Sequence, residues 1–211
     1  MIFIFDMGGV VTNSAAVEKQ ICDILGISEK QFFEYCGCAD GNASYGEPGK
    51  TLRPFKQNAS DLMTLLSNGT ITTKQFWLEF SARCGRAIRT DYWQLLFHPE
   101  VNNETVQLIR DLRKKYRVVC GTNTIESHYL SHLARGDYAV FDQTYASNMM
   151  GVSKPDPEFW KLILLAEKVK PEEAFFTDDL RTNCDTAASL GIKTHRFTTA
   201  EDLRSALKSC L

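Results

Sequence analysis

Short apolar segments recur along the chain and predict β-strands. The first is Ile2–Phe5, which is rich in β-branched and aromatic residues and is followed by Asp6 and the turn-forming pair Gly8 and Gly9. Similar segments lie at residues 117–120, 144–146, 174–177 and 193–197, and helical patterns separate them. Because strands that alternate with helices build parallel sheets, this pattern predicts an α/β fold.

Residues 13–99 break the alternation and predict a helical insert. They contain helical patterns without a convincing strand, and two capping boxes, Ser28 to Gln31 and Thr72 to Gln75, indicate helix starts. Residues 37–54 are rich in Gly, Asn and Ser and predict a long loop. Aromatic residues at helical spacing are expected to form the insert's own core. We therefore expect an α/β core of residues 1–12 and 100–211 and a helical cap of residues 13–99.

Composition and charge narrow the classes of function. The 24 basic and 26 acidic residues give a net charge of −2, which provides no basic surface for nucleic acid or an anionic membrane. No window has the length of an apolar membrane span, and the start of the chain lacks the pattern of a signal peptide. The seven cysteines are scattered and odd in number, and the close pair Cys36 and Cys38 has no further ligands for a zinc site. These features predict a cytoplasmic protein.

Polar residues follow four of the predicted strands. They are Asp6 after the first, Thr122 and Asn123 after the second, Lys154 after the third, and Asp178 and Asp179 after the fourth. Each alone is equally typical of a turn or a helix cap. Because ligands of parallel sheets bind beyond the carboxyl ends of the strands, we expect all of them on one rim. Carboxylates, an ammonium and hydrogen-bond donors together suit phosphoryl transfer.

Four motifs in this order resemble the haloacid dehalogenase-like hydrolase superfamily, and within it the branch with a helical cap. Residues 4–11 (IFDMGGVV) are similar to the nucleophile loop, residues 119–123 (VCGTN) to the second motif, residues 151–157 (GVSKPDP) to the third and residues 175–179 (FFTDD) to the fourth. The resemblance runs over essentially the whole chain. It implies a Rossmann-like parallel sheet with an inserted helical cap.

The resemblance also implies a nucleophile and a metal site. Asp6 would attack phosphorus and form an aspartyl-phosphate that water then hydrolyses. Mg²⁺ would be bound by the Asp6 carboxylate, the Gly8 carbonyl and Asp178, with Asp179 either binding the ion directly or through a water molecule. The substrate would be a small phosphorylated molecule.

The phosphate-binding groups follow from the same resemblance. Thr122 and Asn123 would bind the phosphoryl oxygens, and Lys154 would neutralise the phosphate and the nucleophile. The backbone of Gly8 and Gly9 would complete the phosphate cradle.

Gly8 departs from the pattern of the family's phosphatases. They have a second aspartate two residues after the nucleophile, which protonates the leaving oxygen and later activates water. General acid–base catalysis typically contributes ~10²–10⁴-fold, so its loss predicts a slow enzyme or one that uses another acid. His128, on the predicted helix after Asn123, is the candidate substitute.

Three functions therefore remain open from the sequence. A magnesium-dependent phosphatase is favoured, because every metal and phosphate position except the acid is filled. A haloacid dehalogenase would also use an aspartate nucleophile, but it would have no use for the pair Asp178 and Asp179. The third is a binding or regulatory protein that has kept the fold and lost its chemistry. Nothing in the sequence indicates the particular substrate or the oligomeric state.

Overall fold

Parallel strands form a single sheet in the computed structural model, which describes residues 1–13, 17–38 and 61–210. Within these residues the strands are β1 (Ile2–Phe5), β2 (Arg117–Thr122), β3 (Gln143–Ala146), β4 (Ala174–Asp178) and β5 (Lys193–Arg196). Their order across the sheet is β3-β2-β1-β4-β5, and every pairing is parallel. The predicted α/β fold is confirmed.

Strand β1 lies at the centre of the sheet, and all of its side chains are buried. A strand buried on both faces is expected to be apolar throughout, as this one is. Phe5 at its end is paired with Cys120 of β2 and with Thr177 of β4. Asp6 and Asp178, the residues that follow Phe5 and Thr177, therefore meet at the same edge of the sheet.

Helices fill the connections between the strands. Between β1 and β2 the described helices are α1 (Val17–Leu25), α2 (Glu29–Cys36), α3 (Leu62–Ser67), α4 (Thr73–Cys84), α5 (Tyr92–Leu95) and α6 (Asn103–Arg113). Helix α7 (Glu126–Arg135) and a 3₁₀ helix (Asp137–Val140) precede β3, and α8 (Ser147–Met150), α9 (Pro157–Glu167) and a second 3₁₀ helix (Pro171–Glu173) precede β4. Helices α10 (Arg181–Ser189) and α11 (Ala200–Cys210) flank β5. None of the described helices combines the length and hydrophobicity that a membrane crossing requires.

Helices α1 to α5 share an aromatic core. Phe32, Phe76, Phe80 and Trp93 are fully buried, and the Phe76 ring centroid lies 5.7 Å from that of Phe80 and 5.6 Å from that of Trp93. This confirms that the aromatic residues of the insert pack among themselves. Ile125, just before α7, is part of the same cluster and joins it to the α/β part. The boundaries between core and cap stay predictions, and the loop predicted at residues 37–54 lies beyond Cys38 outside the described residues.

Local sequence signals are confirmed at the helix starts, while strands β2 and β4 end later than predicted. Both capping boxes form, at Ser28 and at Thr72. Asp156 accepts a hydrogen bond from the Glu158 N–H at 2.9 Å and begins α9 with a proline in its first turn. Strand β2 continues to Thr122 and β4 continues to Asp178, because the neighbouring strands β3 and β5 extend the pairing.

Candidate active site

Lys154 joins two of the predicted site carboxylates. Its Nζ lies 2.8 Å from Asp6 Oδ1 and 2.7 Å from Asp178 Oδ2, and all three residues are buried. The ammonium also lies over the rings of Phe159 and Phe176, 5.9 and 5.5 Å from their centroids. A charge held among apolar rings and away from water interacts strongly with its ionic partners. This arrangement fixes the position of the Asp6 carboxylate at the end of the central strand.

Asp178 is held by further hydrogen bonds from the start of α10. Leu180 N–H donates to Asp178 Oδ1 at 2.8 Å, and Asn183 Nδ2 lies 3.0 Å from both carboxylate oxygens. Asn183, five residues after Asp178, belongs to the region that resembles the fourth motif, but the resemblance assigns it no role. That spacing places Asn183 in the first turn of the helix that follows the strand, where it can reach back to the strand's last residue. Asn183 therefore orients Asp178.

Asp6, Asp178 and Asp179 form a group that can hold a metal ion. Each offers a carboxylate oxygen, and these oxygens all lie within 4.8 Å of one another. Gly9 has a φ of +77°, and a Cβ built at this position would lie 2.5 Å from Asp179 Cγ. The Asp179 carboxylate thus occupies space that only a glycine leaves open. Carboxylate oxygens at this separation fit a small, hard cation such as Mg²⁺, which binds oxygen ligands in an octahedron.

The charges of this cluster are out of balance. Burial, together with the charges of Asp178 and Asp179, outweighs the lowering effect of Lys154 and raises the pKa of Asp6 to about 7. Burial and the charge of Asp178 likewise raise the pKa of Asp179. Burial alone would lower the pKa of Lys154, but its ion pairs with Asp178 and Asp6 raise it. The three carboxylates lie around the Lys154 ammonium, Arg196 lowers the pKa of Asp179 as well, and a divalent cation would compensate the remaining negative charge.

Asn123 lies at the same edge and is engaged with the backbone of Lys154. Its Oδ1 accepts from the Lys154 N–H at 2.8 Å, and its Nδ2 donates to the Lys154 carbonyl at 2.7 Å. The resemblance implies that Asn123 binds phosphoryl oxygens. The structure uses its amide to hold the Lys154 loop, which leaves one Nδ2–H for a ligand. Thr122 is buried at the end of β2, and its hydroxyl lies 3.3 Å from the Asn123 carbonyl oxygen.

His128, the candidate substitute acid, lies in an apolar environment. Its ring stacks on Phe97 with centroids 3.7 Å apart and contacts Trp93 edge-on, and its Nε2 is buried without a hydrogen-bond partner among the described residues. Burial lowers the pKa of His128 to about 3. At neutral pH the ring therefore carries no proton that it can readily donate. His128 packs α7 against α5 and the segment after it, and the structure does not support it as a general acid.

Comparison with known proteins identifies a family model and two relatives that match most of the chain. The family model described as haloacid dehalogenase-like hydrolase matches residues 1–191. The D-ribitol-5-phosphate phosphatase of Bacteroides thetaiotaomicron is 26% identical over 215 residues, which cover 97% of this chain and 95% of that protein. Acyl-CoA dehydrogenase family member 10 of Mus musculus is 32% identical over 157 residues, which cover 68% of this chain but only 14% of that protein. The chain thus spans a small part of this second relative.

Solved structures show the same fold. A haloacid dehalogenase (HAD) family enzyme from Bacteroides thetaiotaomicron has been solved in complex with magnesium and inorganic phosphate. It superposes on this chain with a TM-score of 0.69 at 23% identity over 93% of each chain. A HAD-like family hydrolase from Porphyromonas gingivalis superposes with a TM-score of 0.74 at 22% identity, over 99% of this chain and 96% of the other.

Proposed function

The chain belongs to the haloacid dehalogenase-like hydrolases, and we propose that it is a magnesium-dependent phosphatase that acts on a small phosphate ester through an aspartyl-phosphate on Asp6. One observation carries this proposal: Lys154 bridges Asp6 and Asp178, while Asp179 brings a third carboxylate within 4.8 Å. A dehalogenase would need no divalent cation and therefore no such group of carboxylates. The D-ribitol-5-phosphate phosphatase that matches nearly the full chain supports the same class of substrate.

The proposed metal site consists of Asp6, the Gly8 carbonyl, Asp178 and Asp179. Bound Mg²⁺ would supply positive charge that offsets the repulsion between the carboxylates and the phosphate. Hydrogen bonds from Asn183 and from the Leu180 N–H would orient Asp178 toward the ion.

Asp6 is oriented for attack on phosphorus by two hydrogen bonds to one of its oxygens. The Met7 N–H donates to Oδ1 at 2.7 Å, and Lys154 Nζ contacts the same atom. In the first step a bond forms between an Asp6 oxygen and phosphorus, and the bond from phosphorus to the leaving oxygen breaks. Water then attacks phosphorus, the bond from phosphorus to the Asp6 oxygen breaks, and inorganic phosphate and the free Asp6 carboxylate result. Lys154 and the backbone of Gly8 and Gly9 would stabilise the charge that spreads over the phosphoryl oxygens.

The absence of an acid at Gly8 has a consequence for the choice of leaving group. The departing oxygen must take its proton from solvent, so the rate of the first step should fall as the pKa of the leaving alcohol rises. Aryl phosphates are therefore expected to react faster than alkyl phosphates. The groups that hold the transferring phosphoryl group are the same for both, so binding of the two classes need not differ in this way.

The proposal is tested by measuring phosphate release from an aryl phosphate and from D-ribitol 5-phosphate. Assays run with Mg²⁺, with a chelator, and with Asp6→Asn as the inactive control. Release that requires both Mg²⁺ and Asp6 is the expected result. Activity that persists in chelator would contradict the metal assignment, and halide release from a 2-haloacid in its place would indicate a dehalogenase. Phosphate binding without any turnover would favour a binding protein that has lost its chemistry.

A further inference from the structure

The end of helix α3 is bonded to a loop beside Lys154. Ser67 and Asn68 are buried, and the Ser67 hydroxyl lies 3.1 Å from the Ser153 hydroxyl. Ser153 Oγ also donates to Asn68 Oδ1. Ser153 directly precedes Lys154, and these contacts join residues more than eighty positions apart in the sequence. The end of α3 thus contacts the residue directly before Lys154.

A second contact from α3 reaches the turn that carries Asn123. The buried Ser147 hydroxyl lies 2.7 Å from the Ser67 carbonyl oxygen and 3.1 Å from the Thr124 carbonyl oxygen, and it accepts from the Thr124 N–H at 2.9 Å. Asn123 in turn binds the backbone N–H and carbonyl of Lys154. The two loops are therefore fixed to each other and to the same helix end.

The backbones approach so closely here that a side chain would not fit. Gly69 has a φ of +64°, and a Cβ built on it would lie 1.9 Å from the Asn148 carbonyl oxygen. Real Cβ atoms essentially never come that close to an oxygen, so any side chain would force α3 away from α8. The close approach makes the hydroxyl and amide contacts on either side of it geometrically possible.

We propose that Ser67 and Asn68, at the end of α3, are positioning residues of the active site. They hold the loop that carries Lys154 and the turn that carries Asn123 in fixed positions relative to each other. This inference rests on the proposed phosphatase function for its kinetic consequence. The effect on the loop that carries Lys154 and on the turn that carries Asn123 does not depend on that function, because it can be measured in the protein without substrate. A buried hydroxyl or amide that loses its partner leaves another polar group unsatisfied, so the loops should loosen when the contact is broken.

The test compares Asn68→Ala and Ser153→Ala with Thr73→Val. Thr73 is a matched control because its buried hydroxyl also joins the helical segment to the α/β part, through Ser127 at 2.9 Å, without touching either loop. We expect faster amide hydrogen exchange in residues 147–154 of Asn68→Ala and Ser153→Ala, but not of Thr73→Val. This measurement uses the protein without substrate.

The second measurement is calorimetric titration with inorganic phosphate in the presence of Mg²⁺. Asn68→Ala and Ser153→Ala should each raise the dissociation constant about tenfold, while Thr73→Val changes it little. The double variant of Asn68 and Ser153 should be no worse than Ser153→Ala alone, because Ser153→Ala already removes the contact between Ser153 and Asn68. A loss of stability alone would instead affect all three single variants alike.

The outcomes separate the two proposals. Unchanged exchange in residues 147–154, or equal changes in Thr73→Val, would overturn the positioning role. The positioning role would also be overturned if the unsubstituted protein binds phosphate and Asn68→Ala and Ser153→Ala exchange faster but bind phosphate with the same affinity. If the unsubstituted protein neither binds nor releases phosphate, the phosphatase proposal fails, and the exchange measurement still decides whether Asn68 orders the loops.

Discussion

Replacing Asp6 by Asn should abolish turnover and, without metal, make the folded protein more stable. The carboxylate is buried beside Asp178 and Asp179, and its pKa is raised from 3.8 to about 7. A rise of this size corresponds to a penalty of ~4 kcal/mol for the ionised form in the folded state, which is an upper limit. Asparagine removes the penalty but also weakens the contact with Lys154. We therefore expect a gain of ~1–2 kcal/mol in the free energy of unfolding at pH 8.

The gain should depend on pH in a defined direction. Because the pKa of Asp6 is higher in the folded than in the unfolded protein, the folded state holds its proton longer as pH rises. Stability contributed by this group is present below about pH 4 and is lost as pH rises to about 7. Asp6→Asn lacks this loss, so its advantage over the unsubstituted protein should grow from pH 5 to pH 7 and then remain constant.

Denaturant unfolding in chelator between pH 5 and pH 8.5 measures this difference, and the same experiment with Mg²⁺ provides the control. A bound ion stabilises the folded state by an amount that grows with the logarithm of its affinity, so Mg²⁺ should narrow or reverse the stability advantage of Asp6→Asn. A variant less stable than the unsubstituted protein across the whole pH range would refute the reasoning, since the Lys154 ion pair would then outweigh burial and repulsion. If Asp6→Asn keeps more than about a hundredth of the turnover of the unsubstituted protein, Asp6 is not the nucleophile.

The remaining predictions concern the acid and the metal. Gly8→Asp should fit without a clash, because a Cβ at Gly8 meets nothing within 4 Å. Since the new carboxyl group can protonate a poor leaving group, it should raise the single-turnover rate on alkyl phosphates ~10²-fold or more and have little effect on aryl phosphates. An unchanged ratio of alkyl to aryl rates would contradict this. Asp178→Ala should weaken Mg²⁺ binding in calorimetry more than Asp179→Ala, and Ca²⁺ should inhibit turnover because its longer bonds misplace the ligands. Gly9→Ala should also weaken Mg²⁺ binding, since its Cβ would collide with Asp179 at 2.5 Å; affinity equal to that of the unsubstituted protein would refute this.

Features that depend on a few neighbouring residues could be predicted from the sequence. The capping boxes at Ser28 and Thr72 require only a residue three positions later, and both form. The strand β1 follows from its continuous apolar run, and Asp6 and Asp178 meet because the ends of parallel strands share an edge. The positions of the polar residues after the predicted strands are therefore enough to predict that the carboxylates and Lys154 lie close together.

Pairings between distant side chains could not be predicted in this way. The amide of Asn123 binds the backbone of Lys154, and Asn68 binds Ser153, because packing brings these loops within hydrogen-bond distance. His128 illustrates the same limit, since its position on a helix does not reveal that Phe97 covers its ring. Such contacts depend on rotamers and on burial, which a single sequence does not specify.

The central place of β1 in the sheet has a consequence for folding during synthesis. Its partner strands begin at Arg117 and Ala174, so β1 is synthesised long before both of its edges can be covered. Pairings between segments so far apart form slowly, and an uncovered apolar strand can pair with strands of other molecules. Chains that end before Ala174 should therefore aggregate, and chains that include β4 should depend on rapid pairing of the strands, or on a chaperone, while β1 remains exposed.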